Sequence, residues 1–189
     1  MATTAQPCRS ARSTGFVERL AATTVGATYN QYRDSAVRRE RLARYLDACA
    51  GAPMLLVGEA AGFSGARVSG IPFTSERQLT GAGPAEATAT IVHAVLAELG
   101  LEEKLLLWNV VPTHPGTASS NRRPTRAEIE VARPFLAQLA RGRRVVPVGR
   151  VAHAVLGGEY VRHPSHGGAA AFRAGLVALC HDGKRGGRE

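Results

Sequence analysis

The stretch MLLVGEAAGFSGARVSGIPFT, residues 54–74, opens with a short apolar run, 54–57, bounded by Pro53 and Gly58. That run is too brief for a helix and reads as a buried strand; the glycine-rich polar segment behind it reads as the loop at the strand's C-terminal end. The same grammar recurs in WNVVPTHPG, residues 108–116, and in VRHPSHGG, residues 161–168, which also leave apolar runs. In a parallel α/β sheet the strand C-termini share one edge and ligands bind there, so the three segments are expected to build one site.

Ahead of this stretch, residues 16–50 read as helical with a break near 28–33. Ser35 is the expected cap of the second part, and Val37, Leu42, Tyr45, Leu46 and Cys49 form its apolar stripe, ended by Gly51 and Pro53. Behind it, Pro84 marks a first helical turn, and Ile91, Val92, Val95, Leu96 and Leu99 follow at helical spacing until Gly100. Residues 104–110 read as the second strand. Thr125 with Glu128 makes a capping box for a helix carrying Ile129, Val131, Phe135, Leu136 and Leu139, with a kink expected at Pro134 and a stop at Gly142. A third strand over 143–148, a short helix over 151–156, a fourth strand over 159–163 and a last helix over 169–180 complete the pattern. Four strands, each leading into a helix, predict an α/β fold: a three-layer α/β/α sandwich with a central four-stranded parallel sheet. A single domain is expected over 16–180, with flexible tails at 1–15 and 181–189.

The 189 residues, 44% of them hydrophobic, suffice for one ordinary core. No apolar run is long enough to span a bilayer, and MATTAQPCRSARSTG lacks a secretory apolar segment, so a cytoplasmic protein without a membrane partner is expected. Twenty-four basic against 15 acidic residues give +9, which favours a polyanionic partner, although an arginine-rich proteome produces the same balance. Cys8, Cys49 and Cys180 are too few and too scattered for a disulfide framework, a CxxC metal site or a four-thiolate cluster, and no cofactor is expected.

Glycines 58, 62, 65 and 70 allow close approach of backbone to a ligand, but match neither GxGxxG nor a Walker A sequence. Phe73 is placed to stack on a base or simply to pack. Glu59 either orients a water or holds its loop; Arg67 reaches a phosphate, pairs with Glu59 or is plain surface charge. Asn109 offers a donor and an acceptor suited to a pyrimidine edge, and equally suited to capping a turn. Pro164 fixes the exit after His163, aiming an imidazole that can donate to an oxygen gaining negative charge. His114, His163 and His166 with Glu59 are a rival metal set, but the spacing is not that of a helix-borne zinc motif, and no metal is expected. Asn121, Arg122, Arg123 and Arg126 surround a helix N-terminus, where they grip phosphate or form a solvated basic face.

These residues together resemble the uracil-DNA glycosylase superfamily. GEAAG at 58–62 is similar to its GEAPG motif, Phe73 to its stacking phenylalanine, Asn109 to its base-reading asparagine, and His163-Pro164-Ser165 to its HPS motif, over residues 54–178. The resemblance implies a three-layer fold that flips uracil out of DNA and hydrolyses its bond to deoxyribose, leaving an abasic site and free uracil. It implies catalytic roles for His163 and Glu59, and base contacts from Gly58, Ala60, Gly62, Phe73 and Asn109. It also implies DNA contacts from Arg67, Asn121, Arg122, Arg123, Ser165, His166 and Gly167, with 166–168 entering the duplex, and a monomer. Some members carry a water-positioning aspartate and a thymine-blocking tyrosine, written GQDPY; here Ala60 and Gly62 stand there, so exclusion of thymine is not implied. Ala61 replaces the proline of GEAPG, the cluster cysteines are missing, and no KRRIH insertion is present, which points to a cluster-free GEAPG-like branch. Two further readings stay open: a non-catalytic binder of damaged or abasic DNA, and a hydrolase of free nucleosides.

Overall fold

A computed structural model of the chain describes residues 11–185. Two helices come first, α1 (Ala11–Ala22) and α2 (Ala36–Ala48), the latter capped by Ser35, whose side chain accepts from Arg38 N–H. Strand β1 (Met54–Ala60) leads into the short helices α3 (Ala66–Ser69) and α4 (Glu76–Thr80) and then α5 (Ala87–Glu98). Strand β2 (Leu105–Val111) is followed by a small hairpin, β3 (Gly116–Thr117) and β4 (Ser120–Asn121). Helix α6 (Arg126–Ala140), strand β5 (Arg144–Pro147), helix α7 (Arg150–Leu156) and helix α8 (Ala169–Arg185) complete the order.

The central sheet is parallel, in the order β2-β1-β5, so the expected four strands reduce to three. The fourth survives as one parallel bridge between Val148 and Val161, with Val161 N–H donating to Pro147 O and Gly149 N–H to Val161 O. Its shortness has local causes. Gly157 and Gly158 lie at positive φ just before it, and Pro164, without an N–H, ends it. The 116–121 hairpin and helices α3 and α4 fall where the sequence reads only as loop.

Strand alternation divides the core. Leu55, Val57, Leu106, Trp108 and Val110 pack with α1, α2, α6 and α7 on one face. Leu56, Leu105, Leu107, Val146 and Val148 pack with α5 and α8 on the other. Helices therefore cover both faces of the sheet, as the long apolar runs of a parallel sheet require. Phe16 meets Trp108 and Phe135 edge to face, at ring centroid distances of 5.7 and 5.5 Å. The capping box of α6 forms as the sequence indicates, with Glu128 accepting from Thr125 N–H and Thr125 Oγ1 from Glu128 N–H. Val37, read as part of the apolar stripe, is 57% exposed.

Residues 11–15 are helical rather than tail, because α1 begins at Ala11, and α8 continues past residue 180 to Arg185. The rest of both expected tails, Cys8 included, lies outside the described residues. Among the described residues no helix is long and apolar enough to cross a membrane.

Strand β2 forms a free edge of the sheet, and Tyr45 of α2 covers it: its hydroxyl accepts from Leu107 N–H at 2.6 Å. Burial drives the Tyr45 phenol well above its usual range, which keeps it protonated. Tyr45→Phe leaves that buried N–H without a partner and is expected to cost about 1–3 kcal/mol in urea unfolding, with little change in circular dichroism.

Candidate functional site

The register of β1 and β2 sets Gly58 opposite Asn109. Asn109 is 3% exposed, yet its side-chain amide forms no hydrogen bond among the described residues. It lines a cavity of about 640 Å³ at the C-terminal edge of the sheet, together with Glu59, Ala60, Gly62, Phe73 and His163. Gly58 stands behind this wall. A methyl group there would overlap the Phe73 ring and lie 2.9 Å from Asn109 Oδ1, so only glycine lets ring and amide meet over β1.

Phe73 is held in the left-handed region, φ 53°, at a cost of about 1–3 kcal/mol for a residue with a side chain. A web of buried bonds imposes this conformation. Ser69 Oγ donates to Thr74 O at 2.6 Å and accepts from Ile71 N–H at 3.1 Å; Thr74 N–H donates to Ile71 O, and the Thr74 hydroxyl lies 3.1 Å from His93 Nε2. The capping box of Ser75 and Gln78 closes the segment.

His163 follows the Val161 bridge and is half-buried. Ser165 N–H donates to its Nδ1 at 3.2 Å, which makes Nδ1 an acceptor and leaves the proton on Nε2. The Ser165 hydroxyl lies 2.8 Å from the same nitrogen and 2.9 Å from His166 Nδ1. Burial, and secondarily the neighbouring His166, push the His163 ring below the usual histidine range. The cavity thus receives a neutral N–H donor. Gly149, at φ 85°, is packed against the His163 Cβ.

Two carboxylates line the cavity. Glu59 is half-buried; its burial raises the carboxyl, and Arg123 pulls the other way. Glu86, the N-cap residue of α5, makes no side-chain capping bond and its burial also raises its carboxyl. Sequence reasoning gave it no role and placed the first helical turn at Pro84, whereas α5 begins only at Ala87. Thr88, Arg150, Tyr160 and Arg162 also line the cavity without having been singled out.

The residues expected to grip phosphate divide into two groups. Arg123 faces the cavity and lies exposed, as do Arg150 and Arg162. Arg122 also reaches the wall, but its guanidinium forms a two-pronged pair with Glu128 at 2.8 and 2.5 Å. Glu128 is 2% exposed, and this pairing, aided by Thr125 N–H, holds its carboxyl down to about 2. Arg122 therefore ties the segment before α6 to that helix. Asn121 Oδ1 accepts from Phe63 N–H at 2.9 Å and clamps the loop after β1 to the hairpin. Arg67 does not line the cavity and does not pair with Glu59; its guanidinium lies over the Tyr29 ring, 5.1 Å from the centroid. Ser165 and His166 line the cavity, His166 at φ 52°, whereas Gly167 does not.

His114 is fully buried, with its ring nitrogens 2.8 Å from Ala61 O and 2.7 Å from Thr117 O. It spans two loops and does not join His163 and His166 as a metal ligand. Among the described residues no group of three or more His, Cys, Asp or Glu side chains is arranged to hold a metal ion.

A family model described as the uracil DNA glycosylase superfamily matches residues 46–182. The crystal structure of wild-type SMUG2 from Pedobacter heparinus superposes with a TM-score of 0.64 at 12% identity, covering 89% of this chain and 98% of that one. At that identity the likeness speaks for the fold alone. No curated protein gives a significant sequence match.

The depressed His163 value means the fold favours the neutral ring. Its contribution to stability is present at neutral pH and is lost as pH falls through the folded-state value. NMR titration of the ring is expected to give a midpoint below that of a free histidine, and a midpoint at or above it would contradict the burial described here.

Proposed function

The chain belongs to the uracil DNA glycosylase superfamily, and on that premise we propose that it flips uracil out of DNA and hydrolyses the bond joining the base to deoxyribose. What supports this is one juxtaposition: the Phe73 ring, the unpartnered Asn109 amide and the neutral His163 imidazole face a single cavity, while Arg123, Arg150 and Arg162 stand at its rim.

Extruding a nucleotide costs a few kcal/mol, which stacking on Phe73 and hydrogen bonds from Asn109 offset. The amide, having no partner among the described residues, is free to pair with a base that enters. Cleavage of the C1′–N1 bond leaves positive charge on the sugar and negative charge on the uracil. The His163 N–H donates to a uracil carbonyl oxygen and strengthens its bond as that charge grows, which lowers the barrier rather than only the binding energy. Water then adds to C1′, and its proton leaves to the departing base or to solvent.

Ala60 supplies no carboxylate to the water, so Glu59, set beside it, is the residue proposed to orient the nucleophile. Attack on a fully developed sugar cation needs little activation, and a carboxylate there adds orientation and field. The exposed arginines at the rim hold the strand by its phosphates, which contributes affinity without sequence preference.

Oligonucleotides carrying one uracil, single- or double-stranded, are expected to break at that site after incubation and alkali. His163→Ala and Asn109→Ala are each expected to lower cleavage by about 10²–10³-fold while keeping most of the DNA affinity, measured by anisotropy. Cleavage at the parent rate in both variants would refute the assignment. DNA binding is expected to fall steeply with ionic strength; activity on free uridine that ignores salt would identify a nucleoside hydrolase instead.

A further inference from the structure

Glu86 is a carboxylate of the cavity that this mechanism leaves without a task. It enters from the start of α5, yet its carboxyl lies against the loop that follows β1. A methyl group on Gly62 would overlap Oε1, and one on Gly65 would overlap Oε2. The carboxyl therefore occupies the volume that side chains of this loop would otherwise fill. Neither oxygen has a hydrogen-bond partner among the described residues, although the side chain is largely withdrawn from solvent. A carboxyl so placed lines the cavity, from which a partner can reach it.

A pyrimidine offers three sides to a pocket. Its N3 edge suits an amide that both donates and accepts, its N1 leads to the sugar, and its C5–C6 edge remains. With the plane fixed by Phe73 and the N3 edge taken by Asn109, the C5–C6 edge meets the rest of the wall. The glycines there contribute no bulk of their own. Resting on the glycosylase reading, we infer that Glu86 closes the pocket along that edge and is the specificity-determining residue that rejects pyrimidines carrying a 5-substituent.

The physical reason is twofold. A 5-methyl group must displace the carboxyl from its seat between Gly62 and Gly65, and it places an apolar surface on oxygens that have no partner among the described residues and would lose water. Uracil, bearing only hydrogen at C5, does neither. This wall is invisible to a reading of the first loop alone, where Gly62 leaves the edge open.

The test compares the parent with Glu86→Ala and Glu86→Gln on strands carrying uracil, thymine or 5-hydroxymethyluracil. Binding of the 2′-fluoro forms of the same nucleotides, which resist cleavage, is measured in parallel. The ratio of 5-substituted base to uracil is read in both assays, so a general loss of activity does not obscure it. Glu86→Ala is expected to raise that ratio at least about tenfold, the effect of making room for one methyl group, while Glu86→Gln, which keeps the volume, leaves it near the parent value. An unchanged ratio in Glu86→Ala overturns the inference alone. So does a parent that handles uracil and thymine equally, or a pair of variants that lose uracil cleavage together with selectivity intact, which would make Glu86 a water-orienting group. A parent that neither cleaves uracil nor binds its 2′-fluoro form overturns the glycosylase reading, and this inference with it.

Discussion

A missing side chain at Gly58 is the constraint on which the site depends. The parallel register of β1 and β2 sets this residue beside Asn109, and the Phe73 ring lies over the gap. Any larger residue would drive the ring off the strand and crowd the amide. Phe73 in turn occupies a backbone conformation that residues with side chains avoid. The hydrogen-bonded segment around Ser69 and Thr74, buried throughout, offsets that strain. Buried polar networks of this kind rigidify when every member is satisfied, and the ring is consequently fixed before any ligand arrives.

The same edge is built by residues that never touch the cavity. Residues 28–32, between α1 and α2, strap the loop after β2: Tyr29 and His114 exchange backbone hydrogen bonds, and Gln31 Nε2 donates to Pro112 O. The Tyr32 hydroxyl donates to Gly70 O at the base of the Phe73 segment. His114 continues inward to Ala61 O, and Asn121 reaches Phe63 N–H from the hairpin. The segment between the two N-terminal helices, read from sequence only as a break in a helical stretch, thus fastens the loops that follow β1 and β2.

Electrostatically the cavity separates its functions by depth. Inside, burial pushes the His163 ring below the usual histidine range and raises the carboxyls of Glu59 and Glu86, so each shift disfavours the charged form. Outside, arginines line the rim. The +9 balance of the chain is therefore not spread evenly over function: Arg122 is committed to Glu128, and Arg67 lies on Tyr29. A site with a neutral donor below and cations above suits a neutral base on a charged backbone.

The sequence by itself determined the elements whose signals are local. An apolar run after Pro53, the Thr125–Glu128 capping box and Ser35 at a helix start each act within a few residues, and each appears, although the first strand runs on through Gly58 to Ala60 where the sequence reads as loop. It also determined that Phe73, Asn109 and His163 would meet, because parallel strands end at one edge. Local signals also shortened the fourth run, where Gly157, Gly158 and Pro164 leave Val161 alone able to bridge, and only the tertiary structure decided that it does so with Val148. It alone decided which arginines are bound to other groups and which face the cavity, because a guanidinium at the end of a long stem is claimed by whatever acceptor packing brings near. Glu86 belongs to the same class: its place against Gly62 and Gly65 comes from how α5 docks beside β1, a distance in space that no spacing along the chain encodes.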